Sequence, residues 1–213
     1  MKTNSIGDIM MIYDFINLKN NLEKKGYFVS VFDTKEDAKK YLNANIDGKT
    51  VGVGGSVTLR EMDLLEALST HNTVYCHDKK PENLSVMETR TLASRAEVYI
   101  SSANAISEQG DIINIDGTGN RVAATTYGPN KVYLVIGSNK VAPNFEAALF
   151  RARNISAPLN AKRLNRNTPC AKNADKCYNC NSPERICRAL SVFWTKPSGA
   201  EYEVVLVKES LGY

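Results

Sequence analysis

Four of the chain's five cysteines, Cys170, Cys177, Cys180 and Cys187, fall within eighteen residues in the spacing C-x6-C-x2-C-x6-C. Thiolates gathered on one short segment can converge on a metal: the inner C-x2-C pair supplies two adjacent ligands and the outer cysteines close the coordination sphere. Pro169, Asn173, Asp175, Asn179, Asn181, Ser182 and Pro183 are turn formers, so the ligands are expected on irregular backbone able to bend around an ion. A four-thiolate site takes an iron–sulfur cluster or zinc, and the ligands alone do not separate the two; the 4Fe-4S type is placed ahead of zinc. The competing reading is two disulfides or four unconnected thiols. Chain length, an N-terminus without a signal-peptide pattern and evenly spread apolar residues point instead to a reducing, cytoplasmic setting where disulfides are rare.

Two further stretches could bind a ligand. In Val51-Gly52-Val53-Gly54-Gly55-Ser56-Val57-Thr58-Leu59-Arg60-Glu61 a glycine-rich turn leaves a strand and opens a helix, with Thr58 and Glu61 at capping-box spacing. Unpaired amides at a helix start and glycines that admit close approach make an anion seat, although this is neither a P-loop nor a G-x-G-x-x-G fingerprint. From Ser101 to Ala123 the chain is dense in small, amide and carboxylate side chains next to an expected strand, where polar groups meet a substrate in parallel sheets. There Glu108 is the candidate nucleophile or general base, Asn104 and Asn120 are hydrogen-bonding candidates, and Arg121 could pair with a carboxylate or phosphate. Asp116, Gly117 and Gly119 belong to the same segment; the bland alternative is a pair of tight turns in which Asn104 and Asp116 bond their own backbone. Asn139 and Lys140 end a later strand and should reach the same sheet edge, Lys140 as an anion partner or a surface lysine. Cys76-His77 invites a nucleophile–base reading, but neighbours on a strand point to opposite faces, so a buried structural cysteine is expected.

The elements that must position these residues follow from periodicity. Met11, Phe15, Leu18 and Leu22 mark a helix from about Gly7 to Lys25, ended by Gly26. Strands are expected at 27–32, 50–53, 73–76, 97–101, 111–115, 131–136 and 203–207, with helices at 34–45, 58–68, from Pro81 onward, and at 143–155. Strand–helix alternation implies right-handed crossovers and a Rossmann-like, mostly parallel sheet covered on both faces. With 213 residues, 43% hydrophobic, and neither repeat nor linker, a single α/β domain over 1–213 is expected, carrying a cysteine-rich loop at 168–190. A net charge of +4 is too small and scattered to argue for nucleic acid, and the cluster Arg151, Arg153, Lys162, Arg163 and Arg166 reads as a solvated helix face and its following loop ahead of a polyanion groove. No apolar run reaches the about 18 residues that a membrane span needs.

The stretches GVGGSVTLRE, SSANAISEQGDIINIDGTGNRVAA, YGP, GSNK, FEAALFRARNISAPLNAKRL, TPCAKNADKCYNCNSPERICRAL and ESLGY together resemble the LUD domain family, named for lactate utilization. The closer likeness is to its short, stand-alone members with a four-cysteine C-terminal loop. The resemblance implies kinship with the superfamily of glucosamine-phosphate isomerases, ribose-phosphate isomerases and coenzyme A transferases, hence a CoA transferase-like sheet with its ligand over the strand ends. It also implies a part in oxidizing L-lactate to pyruvate alongside iron–sulfur partner proteins, and a glutamate nucleophile of the transferase kind, for which Glu108 is the loose match. Two functions of different class follow. One is a redox component in which a cluster serves a small hydroxy- or keto-acid held by Gly54, Gly55, Ser56, Asn120, Arg121 and Lys140. The other is a nonredox metabolite-binding or regulatory protein, or an oligomer of such, stapled by zinc and sensing a phosphorylated or acyl metabolite. Transferase or isomerase chemistry at Glu108 is a third.

Overall fold

The computed structural model describes residues 15–213, so the expected helix is visible only as α1, Ile16–Lys24, its earlier part lying outside the described residues. Six strands form a wholly parallel sheet in the order β1-β10-β7-β4-β2-β3. They are β1 (Phe28–Phe32), β2 (Thr50–Val53), β3 (Thr73–Cys76), β4 (Val98–Ser101), β7 (Lys131–Gly137) and β10 (Glu201–Val207). The central strands are apolar on both faces because both are covered. Val204 and Leu206 of β10 join Val132, Leu134 and Ile136 of β7 in one core, while Val205 and Val207 join Tyr133 and Val135 in the other. The first core takes Leu18 and Leu22 of α1, and the second takes Ala38 and Leu42 of α2 (Lys35–Asn45). Thr34 caps α2 by accepting the Asp37 amide at 3.1 Å.

Three sequence expectations need correction here. The helix expected over 58–68 is two, α3 (Val57–Glu61) and α4 (Leu64–Ser69), separated at Asp63, which stands in left-handed backbone with φ 48°. Its cap is Ser56, which accepts the Leu59 amide, whereas Glu61 reaches away to the Gly212 amide. The helix expected from Pro81 begins at Val86 as α5 (Val86–Ser94), where Ser85 and Glu88 close a reciprocal capping box. The strand expected at 111–115 leaves the parallel sheet altogether. As β6 (Ile112–Asp116) it lies in a second sheet of order β8-β5-β6-β9, with β5 (Ala105–Ser107), β8 (Val141–Ala142) and β9 (Ala189–Phe193).

The remaining helices bring these sheets to the site. Helix α6 (Asn120–Thr126) follows β6, and α7 (Phe145–Arg151) runs through a π-turn at 152–156 into α8 (Ala157–Arg163). A short α9 (Pro169–Asn173) then opens the cysteine segment. Among the described residues no helix is long and apolar enough to cross a membrane.

Candidate functional site

The carboxyl ends of β2, β3, β4 and β7 face α6 and α8 across a cavity of about 280 Å³. Ligands sit at this edge of open parallel sheets because the connections leaving the strands converge there. Each strand end contributes in turn: Gly55 and Ser56 after β2, His77 and Asp78 after β3, Ser102 and Asn104 after β4, and Lys140 after β7. The opposite wall carries Asp116, Gly117, Asn120 and Arg121 from the β6–α6 junction, and Asn160 and Arg163 from α8.

The wall is strongly cationic. Six basic side chains, Arg60, Arg90, Arg121, Lys140, Arg163 and Arg166, face two carboxylates, Asp78 and Asp116. Neither carboxylate is idle. Asp78 pairs with Arg60 at 2.6 Å, and Asp116 accepts the amides of Thr118, Arg121 and Val122, fixing the start of α6. Burial works to raise the Asp116 carboxyl, but the Arg121 guanidinium and those amides outweigh it and hold the group below the ordinary carboxylate range. Arg121 donates to Asn104 Oδ1 at 2.9 Å and to the Ile115 carbonyl at 2.7 Å, so its charge is fixed by neutral acceptors. Arg90 Nε is buried without a hydrogen-bond partner, although the side chain lines the cavity. Such an orphaned donor in a native fold calls for an explanation, and an anionic ligand supplies one.

Lys140 is only 3% exposed. Its Nζ lies 2.7 Å from Thr58 Oγ1 and 2.8 Å from Ser102 Oγ, with no carboxylate in contact. Burial, reinforced by Arg151 and Arg121 and only partly offset by Glu61, pulls its pKa down to about 7. Arg151 is itself half-buried among neutral acceptors, the Asn139 and Asn104 carbonyls and Ser156 Oγ. Burial also lowers the His77 imidazole against the pull of Asp78. The protein thus holds several desolvated cations around a space with too few negative charges, the arrangement that favours an anion over a cation or a neutral apolar molecule.

Several sequence candidates act elsewhere. A Cβ on Gly52 would sit 2.0 Å from the Ala93 carbonyl oxygen, so this glycine lets α5 press onto β2 and does not line the cavity. Gly54 faces a neighbouring cavity with Cys76, Thr58 lies beneath Lys140, and Asn139 ties down the C-terminal backbone through the Leu211 amide and the Gly212 carbonyl. Gly119, with φ 87°, shapes the entry to α6. Glu108 is not brought to the cavity: it lies in the turn between β5 and β6, where its amide bonds Ala142 and its carbonyl accepts from Asn21. Conversely, Arg60, Arg90 and Tyr213 were not among the sequence candidates, His77 was weighed only as a base for Cys76, and Arg163 and Arg166 were expected on a solvated face.

The four clustered cysteines are free thiols, half-buried, and all four line one narrow cavity with Arg153 and Arg185. Cys170 rides on α9, capped by Thr168, rather than on a loop; Cys177, Cys180 and Cys187 lie on irregular backbone. Arg185 Nε donates to Cys187 Sγ at 3.2 Å and Arg153 approaches Cys177 Sγ at 3.8 Å. Among the described residues no three His, Cys, Asp or Glu side chains gather tightly enough to hold a metal ion, so the sulfurs ring the cavity without meeting at a point. Ala157 and Ile186 belong to the walls of both this cavity and the cationic one. The contact is close: a Cβ on Gly117 would lie 2.9 Å from the Ile186 carbonyl oxygen.

Residues 17–207 match the model of the LUD domain family. No curated protein matches the chain. Among solved structures, the fold is similar to that of a DUF162 family protein from Deinococcus radiodurans, with a TM-score of 0.53, 10% identity, and coverage of 90% of this chain and 94% of that one.

Proposed function

The chain belongs to the LUD domain family, and on that premise we propose that it is a redox protein of the lactate-utilization kind. It holds a small hydroxy- or keto-acid in the cationic cavity beside an iron–sulfur centre carried by Cys170, Cys177, Cys180 and Cys187. The observation that carries this reading is the shared wall: Ala157 and Ile186 line both cavities, and the residue after Ile186 is a cysteine of the set. A ligand in the cationic cavity and a centre at the cysteines would therefore have Ala157 and Ile186 as a common wall.

The donor set fits an iron–sulfur cluster. Four thiols line one space, the ligand type an iron–sulfur cluster takes, and guanidinium groups donate toward Cys187 and Cys177. A single tetrahedral zinc, with Zn–S of about 2.3 Å, needs sulfurs drawn to about 3.8 Å of one another. When bound, a cluster supplies one-electron transfer, and its electrons would pass to an iron–sulfur partner protein. The chain's own residues hold the acid: Arg121 and Arg90 take its carboxylate, while Ser102, Asn104 and Lys140 face its hydroxyl or carbonyl oxygen. Glu108, which does not line this cavity, lends no support to a transferase reading.

The test is metal analysis of protein purified with oxygen excluded. About four irons per chain, with visible absorbance bleached by dithionite, is the expected result. Colourless protein with one zinc, or with no metal at all, would overturn the redox reading and leave a metabolite-binding protein.

A further inference from the structure

Lys140 is placed for more than charge pairing. Its two contacts are hydroxyls whose own protons are committed: Thr58 Oγ1 donates to the Leu211 carbonyl at 3.2 Å and Ser102 Oγ to the Ala103 carbonyl at 3.4 Å. Both hydroxyls therefore accept from Nζ, at 2.7 and 2.8 Å. An amine that gives two N–H bonds in this way has one tetrahedral direction left. In an ammonium ion that direction holds a third N–H seeking an anion; in the neutral amine it holds the lone pair. The side chain forms part of the cavity wall, and the Gly212 backbone closes over it, a Cβ there lying 3.4 Å from Nζ. Desolvation and neighbouring guanidinium groups are how a lysine is kept as a nucleophile near neutral pH, and Arg121 and Arg151 stand in that relation to it.

We propose that Lys140 is a covalent attachment point, condensing through Nζ with a small carbonyl compound that also carries a carboxylate or phosphate. This rests on the reading of the cavity as an anion site and adds a bond to it. The Nζ lone pair forms a bond to the carbonyl carbon and the C=O π pair moves to oxygen. The two hydrogens of the amine then leave with that oxygen as water, giving C=N, with no oxidant or reductant consumed. Ser102 and Thr58, both bonded to Nζ, are placed to relay these protons, while Arg121 and Arg90 anchor the anionic end.

The whole chain is incubated with pyruvate or with dihydroxyacetone phosphate, reduced with sodium borohydride, and analysed by intact mass and peptide mapping, with calorimetry of each compound in parallel. The expected result is a single adduct mapped to Lys140 in at least one arm, reduced at least tenfold in Lys140→Arg. Mapping on the unmodified sequence assigns the site even if the variant fails to fold. An adduct with the phosphate compound alone supports the lysine and overturns the hydroxy- or keto-acid reading. Heat of binding without an adduct overturns the imine and keeps the anion site. Neither heat nor adduct overturns both, and labelling spread over other lysines overturns the assignment to Lys140.

Discussion

Lys140 and Arg90 differ in what the cavity does to them, and each difference is measurable. For Lys140 the folded pKa of about 7 lies below the about 10.4 of an unfolded lysine. Between those values the unfolded chain binds one proton more than the folded one, so folding stability rises with pH across that window and the penalty is full below it. The slope contributed is up to about 1.4 kcal/mol per pH unit. Lys140→Met removes this contribution and leaves the other titrating groups in place. Urea unfolding of both proteins between pH 7 and 9.5 should show the unmodified protein gaining on the variant as pH rises; a constant difference would mean that Lys140 titrates normally. Arg90 has a buried Nε with no partner, so its removal breaks no hydrogen bond at that atom. Arg90→Leu should leave the melting temperature nearly unchanged while weakening pyruvate binding by about tenfold, the worth of one charge-assisted hydrogen bond of about 1.5 kcal/mol. Unaltered affinity by calorimetry would place the carboxylate elsewhere on the wall.

At the scale of elements, the junction between the β6–α6 turn and the cysteine segment links the two cavities, and Gly117 sets its closeness. Gly117→Val places methyl groups against the Ile186 backbone, which must move because a carbonyl cannot be compressed. Expected is a loss of about 1–3 kcal/mol in stability with a changed visible spectrum of the metal-loaded protein; an unchanged spectrum would uncouple the segment from the site. Which elements were legible in the sequence follows from how local their causes are. The six parallel strands were readable because β-branched runs such as Val-Tyr-Leu-Val-Ile and Tyr-Glu-Val-Val-Leu-Val are local signals. The second sheet was not. Its β5 and β8 have three and two residues, too short for a period, and β6 pairs with β9 across a separation such as Ile112 to Phe193. The Asp63 break and the late start of α5 were likewise hidden, although Ser85-x-x-Glu88 was a visible capping signal overshadowed by Pro81. For the site, Ser56, Asn104, Asn120, Arg121 and Lys140 were readable from their place after strands. Arg60, Arg90 and Arg163 come from three helices and meet only in the folded chain, and His77 sits in a turn after β3 where strand alternation no longer governs its direction.

On the scale of the whole molecule, the two sites draw on different parts of the fold, which makes them separable. The cationic cavity is framed by the parallel sheet, whose two cores hold most of the large buried side chains. The cysteine segment hangs on α8 and β9 at the periphery, anchored by bonds such as Cys177 N to Asn154 Oδ1 at 3.1 Å, and its thiols are absent from all three cores. Structural zinc fingers unfold without metal because the metal replaces a core; a chain with this much buried sheet does not depend on one. Cys177→Ser together with Cys187→Ser should therefore abolish iron content and visible absorbance while leaving the far-ultraviolet circular dichroism intact and the affinity for pyruvate within about threefold, or roughly 0.7 kcal/mol. Global unfolding of that variant would make the centre a structural staple. Retained structure with lost pyruvate binding would make the cysteine segment, through Ile186, part of the ligand seat itself.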